Sequence, residues 1–412
     1  MRVALICDKW RGGGAAIAAA RLATGLEARG TNVTRMVAAM ERRRDGVLLC
    51  PPHLWSWLAG AAMRRLGLPA AARCLRPPAA IDRLRCAVAR LRPDVVNIHN
   101  LHGVLNDPTV LGKLGSLPRV WTLHDMWSCT GRCTYSHDCE KYVSGCDAEC
   151  PTPREYPALA PHRIALSWQR RQRMFEQLPA MVAVTPSRWL ASVARRGLWN
   201  NHRVEVIPNG IDLSVFRPVS RIEARRAFGI PERGFVLMFA AADLRERRKG
   251  AAILIEALAG LSQRVRALIL GSGKMDLPDH IEAIQRSTTD ATEIAQAYNA
   301  ADLFVLPSLA DNLPNVLIEA IACGTPCVTM PLGGMPEVVR SGITGWLSQK
   351  EDPKALRNVL EEAIATILGG LDLRDSCRQI ARAEYGLPLQ AERYDRLFEE
   401  LLLRSDTGRC GS

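Results

Sequence analysis

Short apolar runs, each about the length of one buried strand, recur between helical stretches along most of this chain, and no other feature restricts its fold so tightly. Val3-Ala4-Leu5-Ile6-Cys7 opens the series. Val95-Val96-Asn97-Ile98-His99, Val120-Trp121-Thr122-Leu123-His124, Val182-Ala183-Val184-Thr185 and Val204-Glu205-Val206-Ile207 continue it. A second series starts at Phe235-Val236-Leu237-Met238-Phe239 and passes through residues 267–273, 303–308 and 326–329. Runs of this kind, alternating with helices, predict parallel sheets covered on both faces. At 412 residues the chain exceeds one ordinary core, and the turn Pro208-Asn209-Gly210-Ile211-Asp212 falls between the two series. We therefore expect an α/β protein of two doubly wound domains, about 1–202 and 203–385.

Composition keeps this reading among ordinary globular proteins, with 48% of residues hydrophobic and 23% charged. Aromatic residues make up 5%, too few for the stacking surface of a single-strand nucleic-acid binder. The formal charge is +12, and 47 of the 54 basic residues are Arg. That balance suits an anionic membrane surface or a phosphate-bearing substrate, although a GC-rich genome produces the same bias. The five apolar residues between Arg2 and Asp8 are too few for a signal peptide, and no run nears the roughly 20 residues that span a bilayer. With 13 Cys and no export signal, a reducing, cytoplasmic location is expected. Residues 55–65, with Trp55, Trp57, Leu58, Arg64 and Arg65, read either as core or as an amphipathic helix on an anionic membrane.

The chemistry gathers at strand ends. Trp10-Arg11-Gly12-Gly13-Gly14 leads from the first strand into a helical pattern from Ala15 to about Arg29. Gly13 and Gly14 there would bring helix-terminal N–H groups close to an anion, or simply form a tight turn. His99 and His124 end their runs at the edge where open α/β sheets bind ligands. Ser308-Leu309-Ala310-Asp311-Asn312-Leu313-Pro314 predicts a strand end and a polar loop before a short helix that Gly324 closes. Backbone N–H groups near Asn312 and Leu313 would meet a phosphate or a sugar hydroxyl. Glu319 lies about 7 Å along that helix from Pro314. An acid in the apolar run 316–322 is costly to bury unless it accepts hydrogen bonds, which a ribose diol supplies; otherwise it faces solvent.

Taken together, these motifs resemble those of the retaining glycosyltransferases of family 4, whose fold is GT-B: two Rossmann-like doubly wound domains facing a central cleft. Asp311 and Glu319 match the family's acidic pair, and Glu319-Ala320-Ile321-Ala322-Cys323-Gly324-Thr325-Pro326 its tail. Gly333-Gly334-Met335-Pro336-Glu337 resembles the family's Gly-Gly-x-Pro-Glu loop, and Pro208 to Asp212 its interdomain signature. Residues 300–308 are similar to the strand before the acidic pair, so the likeness covers nearly the whole chain in order. It implies an N-terminal acceptor-binding domain, a C-terminal nucleotide-sugar domain, and a final helix, about 386–412, that packs back on the first domain. It makes Glu319 the ligand of the donor ribose and sets Asp311, where the family usually has Glu, beside the transferred sugar. Lys249 matches the family Lys that holds the donor diphosphate, with Arg245 favoured as its partner over the nearby Arg247 and Arg248. His124 would lie near the sugar, oriented by Asp125, with Gly13 and Gly14 near the phosphates. Breaking the anomeric bond develops negative charge on the leaving diphosphate, which Lys249, an Arg and helix-terminal N–H groups would stabilise without a divalent metal. The implied partners are a nucleotide sugar and a glycan or lipid-linked acceptor.

Cys129, Cys133, Cys139, Cys146 and Cys150 fall within a 22-residue stretch that follows His124, and some relatives that build bacterial surface polysaccharides have a similar Cys-rich insert. Cys133, Cys139, Cys146 and Cys150 would hold a structural Zn²⁺ in tetrahedral geometry; disulfides and free thiols are the competing readings. Two other functions fit part of the pattern. One is a nucleotide-sugar epimerase of the same fold, which turns its substrate over without releasing the nucleotide. The other is a zinc-containing basic nucleic-acid binder, against which the acidic pair and the sparse aromatics count.

Overall fold

The computed structural model describes residues 1–10, 12–39, 47–49, 78–103, 108–178 and 180–409. The chain folds as two compact units, Met1–Ile207 together with Gln390–Ser412, and Pro208–Leu389.

In the first unit the strands β1 (Arg2–Lys9), β2 (Asn32–Ala39), β3 (Val47–Leu49), β4 (Val95–Ile98), β5 (Arg119–Thr122), β6 (Val182–Thr185) and β7 (Val204–Val206) form one sheet. Their order is β3-β2-β1-β4-β5-β6-β7, and every pairing is parallel. β4, β5 and β6 are buried along their whole length, because a strand covered on both faces must be apolar on both. Alternation then sorts residues between two cores. Ala4, Ile6 and Trp121 pack with Trp127, Phe175 and Trp199 on one side. Val3, Leu5, Val120 and Val184 pack on the other, under the helix Gly14–Ala28 and the C-terminal helix Leu387–Arg409. Tyr394 and Phe398 of that last helix are fully buried, a contribution of about 2 kcal/mol for each side chain. Polar contacts fix its register: Tyr394 Oη to Thr122 Oγ1 at 2.9 Å, Arg29 Nε to Asp395 at 2.5 Å, and a two-pronged Arg203–Glu400 pair at 2.8 Å.

In the second unit β8 (Phe235–Asp243), β9 (Val265–Ser272), β10 (Glu282–Arg286), β11 (Leu303–Leu306), β12 (Cys327–Thr329) and β13 (Gly345–Leu347) form a parallel sheet in the order β10-β9-β8-β11-β12-β13. Buried Asp302, just before β11, accepts from Arg225 and pairs with Arg221, both at 2.6 Å, and takes the Val236 N–H at 2.8 Å. In each sheet the strand order reverses beside the first strand, so the ends of β1 and β4, and of β8 and β11, flank the point where such sheets bind ligands.

The apolar runs singled out in the sequence are strands, whereas β2, β3, β10 and β13 were not anticipated. Residues 55–65 lie outside the described residues. Among the described residues no helix is long and apolar enough to cross a membrane.

Candidate active site

The second unit gathers most of the expected donor residues at the ends of β8 and β11. A left-handed turn at Gly250 brings the 247–249 turn against Pro307, whose carbonyl oxygen would lie 1.9 Å from a Cβ at that position. Lys249 is thereby set beside the loop after β11, and its Nζ donates to Asp311 Oδ2 at 2.6 Å. Arg248 reaches the same oxygen at 3.1 Å and the Ala310 carbonyl at 2.7 Å. Burial would raise the Asp311 carboxyl, but the two cations outweigh it and hold the group below the usual carboxylate range. Arg245 stands apart, its exposed guanidinium paired with Asp243 at 2.9 and 3.0 Å. The structure thus brings Arg248, rather than the favoured Arg245, next to Lys249.

Asn312 and Leu313 are buried, and the helix runs Asn315–Ala322 with Pro314 at its N-cap and Gly324 at φ 79° just past its end. Asn315 accepts from Asn209 of the Pro-Asn-Gly turn at 3.0 Å. Glu319 is buried, not solvent-facing, and Tyr298 Oη donates to its Oε2 at 3.2 Å. Burial pushes the Tyr298 phenol well up, so it keeps the proton it donates. Gly333 closes this region: a Cβ there would meet the Asp311 carbonyl oxygen at 1.8 Å, so the Gly-Gly-Met-Pro-Glu loop packs directly on the acidic loop.

In the first unit Gly13, at φ 88°, caps the helix Gly14–Ala28, whose first turn carries no acidic residue. Across the switch point, β4 and β5 end in imidazoles. His99 Nδ1 and His124 Nε2 are 2.9 Å apart in stacked rings. Burial pushes both down, His124 to about 4 and His99 well below its ordinary value, so at neutral pH two uncharged rings share one N–H. Asp125 does not hydrogen-bond to His124. Its Oδ2 lies 2.8 Å from His102 Nε2, and its Oδ1 accepts the Trp127 N–H that starts the turn Met126–Cys129. Burial lowers His102, but the charges of Asp125 and Asp8 and the hydrogen bond to Asp125 outweigh it and raise the imidazole above its ordinary value. Asp8 also accepts the Gly103 N–H. His102 and Asp8 had no motif to betray them; what joins them to the site is strand order, which sets the end of β1 beside the end of β4.

Cys133, Cys139, Cys146 and Cys150 are free thiols, and among the described residues no three His, Cys, Asp or Glu side chains are placed to hold a metal ion. The loop is braced by its own polar groups. Buried Arg132 binds the Glu155 and Pro157 carbonyls at 2.5 and 3.1 Å and Thr152 Oγ1 at 2.9 Å. Lys141 ties Asp147 and Glu149, and Cys146 Sγ accepts the Gly131 N–H at 3.2 Å. Burial raises the Cys146 thiol to about 12, and the neighbouring Cys133, Cys139 and Cys150 push it the same way.

Two doubly wound sheets in series, each with polar groups at the carboxyl edge of its switch point, define a protein of the GT-B class. Solved structures of that fold superpose over nearly its whole length. Sucrose-phosphate synthase from Thermosynechococcus elongatus matches with a TM-score of 0.72 and 18% identity, covering 98% of this chain and 99% of that one. Anabaena HepE in complex with UDP-glucose gives 0.67 and 16%, covering 97% and 100%, and WaaG, involved in lipopolysaccharide biosynthesis, gives 0.65 and 17%, covering 95% and 98%. The family model described as Glycosyltransferase Family 4 matches residues 12–215, and that described as Glycosyl transferases group 1 matches residues 234–366. In Escherichia coli K12 the putative colanic acid biosynthesis glycosyl transferase WcaC is 28% identical over 321 residues, 75% of this chain and 77% of the relative. The D-inositol 3-phosphate glycosyltransferase 1 of Catenulispora acidiphila is 34% identical over 183 residues, 39% of this chain and 43% of the relative. The chain belongs to the family 4, group 1 glycosyltransferases and is a sugar-transferring enzyme.

Proposed function

We propose that this enzyme moves a sugar, with retention of anomeric configuration, from a nucleoside-diphosphate sugar to a glycan or lipid-linked acceptor during assembly of a bacterial surface polysaccharide. The observation that carries the donor reading is the convergence of Lys249, Arg248, Asp311 and Tyr298-held Glu319 around the loop after β11. A diphosphate would replace Asp311 as the partner of Lys249 and Arg248, with Arg245 able to swing in from the surface and the N–H groups near Asn312 and Leu313 adding to the cradle. Glu319 would accept from both ribose hydroxyls, and Asp311, released from Lys249, would bind a hydroxyl of the transferred sugar. His124, uncharged, would act there as a hydrogen-bonding group and not as an acid or base. Gly13 and Gly14 would let the start of their helix approach the donor phosphates closely. On this reading residues 1–202 bind the acceptor and 203–385 the donor, no divalent metal acts at the diphosphate, and the charge of +12 favours a peripheral, cytoplasmic position on an anionic membrane. WcaC by its name, and HepE by the UDP-glucose it holds, support this class of reaction.

A thermal-shift panel of uridine, guanosine and adenosine diphosphate sugars tests the donor site. One donor is expected to raise the melting temperature of the wild type, while Glu319→Ala and Lys249→Ala each weaken its binding by tenfold or more, about 1.4 kcal/mol. Absence of any shift at millimolar donor would refute the donor site. Turnover of the nucleotide sugar without nucleotide release would replace the transferase reading with an epimerase. Proton NMR of sugar freed by slow hydrolysis, read before mutarotation, reports whether configuration is kept.

A further inference from the structure

The loop from Cys150 to Pro157 ends in a tyrosine that the fold fixes without burying. Arg132, itself 3% exposed, takes the carbonyls on either side of Tyr156, those of Glu155 and Pro157, and so clamps its backbone. The hydroxyl is held as well, 3.1 Å from His102 Nδ1, with the two rings edge to face at 5.5 Å. His102 is in turn locked by Asp125 and packed against Trp127. Yet Tyr156 remains 58% exposed. A buried guanidinium and a hydrogen-bonded imidazole–carboxylate pair are thus committed to holding one aromatic ring in the face of solvent. Its anchors, His102 and Asp125, follow β4 and β5 at the carboxyl edge of the sheet, where folds of this kind take their ligands.

We propose that Tyr156 is a preformed stacking platform for a neutral pyranose ring of the acceptor. The proposal rests on the reading of this enzyme as a transferase with a saccharide acceptor. A rigid tyrosine offers a large contact area with little side-chain entropy left to lose, which is what a weakly hydrophobic sugar face requires. The exposed carboxylate of Glu155, next in sequence to Tyr156, suits sugar hydroxyls as donors and disfavours an acidic sugar by like-charge repulsion. A flat apolar ligand is a poorer fit, because its rim would desolvate this group without satisfying it.

The test is saturation-transfer NMR on the full chain with UDP present, using the methyl glycosides of glucose, galactose, mannose and fucose in both anomeric forms, with methyl glucuronide as the acidic control. At least one neutral glycoside is expected to receive saturation from the wild type and from Tyr156→Trp, and to bind about five- to tenfold more weakly to Tyr156→Ala. The glucuronide should give less transfer than its neutral parent. The platform is overturned if no neutral glycoside receives saturation, if transfer survives Tyr156→Ala, or if Tyr156→Trp loses it as completely as Tyr156→Ala. A wild type that binds its nucleotide sugar but ignores every glycoside sinks the platform alone, whereas one that ignores both sinks the transferase reading with it.

Discussion

Asp311 illustrates how one side chain can hold a site ready. Without a donor its carboxylate neutralises Lys249 and shares Arg248 with Glu246, in a largely buried pocket. A diphosphate must therefore compete with Asp311 for the same groups. Asp311→Asn removes the competitor and is expected to tighten binding of UDP several-fold in calorimetry while lowering transfer of the sugar, which loses its own contact. Weaker UDP binding would mean that Asp311 positions Lys249 instead of shielding it. At the ends of β4 and β5 the prediction concerns pH. His124 titrates near 4 when folded and near its ordinary 6.5 when unfolded, so below about pH 6.5 the unfolded chain binds the extra proton. Its contribution to stability is whole above that pH and is lost as pH falls toward 4, by roughly 1.4 kcal/mol per pH unit. His99, shifted the same way, adds to the slope. Urea midpoints of the first unit, followed by fluorescence of Trp121, Trp127 and Trp199, should fall between pH 6.5 and 4.5, and His124→Gln should remove about one proton's share. An unchanged slope would show that the buried imidazoles do not control it. The apolar run around Glu319 marked it as an acid to explain but left open whether it is buried or faces solvent, and only the fold shows it buried. His102 and Tyr156 were not legible, since each acquires meaning only through partners 23 and 54 residues away.

Among the elements, the sequence betrayed strands that lie between neighbours and concealed those that do not look apolar. β4, β5, β6 and β11 are buried at every position, so their composition speaks directly. β2 carries Arg35, whose guanidinium sits 3.8 Å over the Trp10 ring and donates to the Trp10 carbonyl at 3.0 Å. A charge satisfied that way interrupts the apolar run without interrupting the strand. β10 is a half-exposed edge, Glu-Ala-Ile-Gln-Arg, and β13 is three residues long, so neither leaves a periodic signal. The start of β11 depends on a charge cluster that no pattern announces. Removing Asp302 would leave Arg225 and Arg221 unmatched in the interior and free the Val236 N–H. Asp302→Ala is accordingly expected to cost about 3–5 kcal/mol, read as a fall in the urea midpoint of the second unit. A loss below 1 kcal/mol, about the worth of an exposed pair, would mean that water reaches the cluster.

For the molecule as a whole, the alternation of runs and helices was enough to specify two doubly wound sheets, since parallel strands need crossover connections and such connections are nearly always right-handed. What it could not convey is which helix covers which face, and there the last one matters most. A chain ending after Leu389 would expose the apolar surface that Tyr394, Leu397 and Phe398 cover on Val3, Leu5 and Val120. It is expected to lose the thermal transition of the first unit and to bind a hydrophobic dye, while residues 208–389 still melt cooperatively; a first unit that melts unchanged would contradict this.

That same helix bears on how the protein is made. Residues 208–389 are contiguous, so the second unit has all its parts once they have left the ribosome, whereas the first still lacks residues 390–412. The half translated first is thus the half completed last. Through the synthesis of more than 180 residues one face of its sheet is covered only in part, by the helix Gly14–Ala28, and it must survive that interval against aggregation or in the keeping of a chaperone.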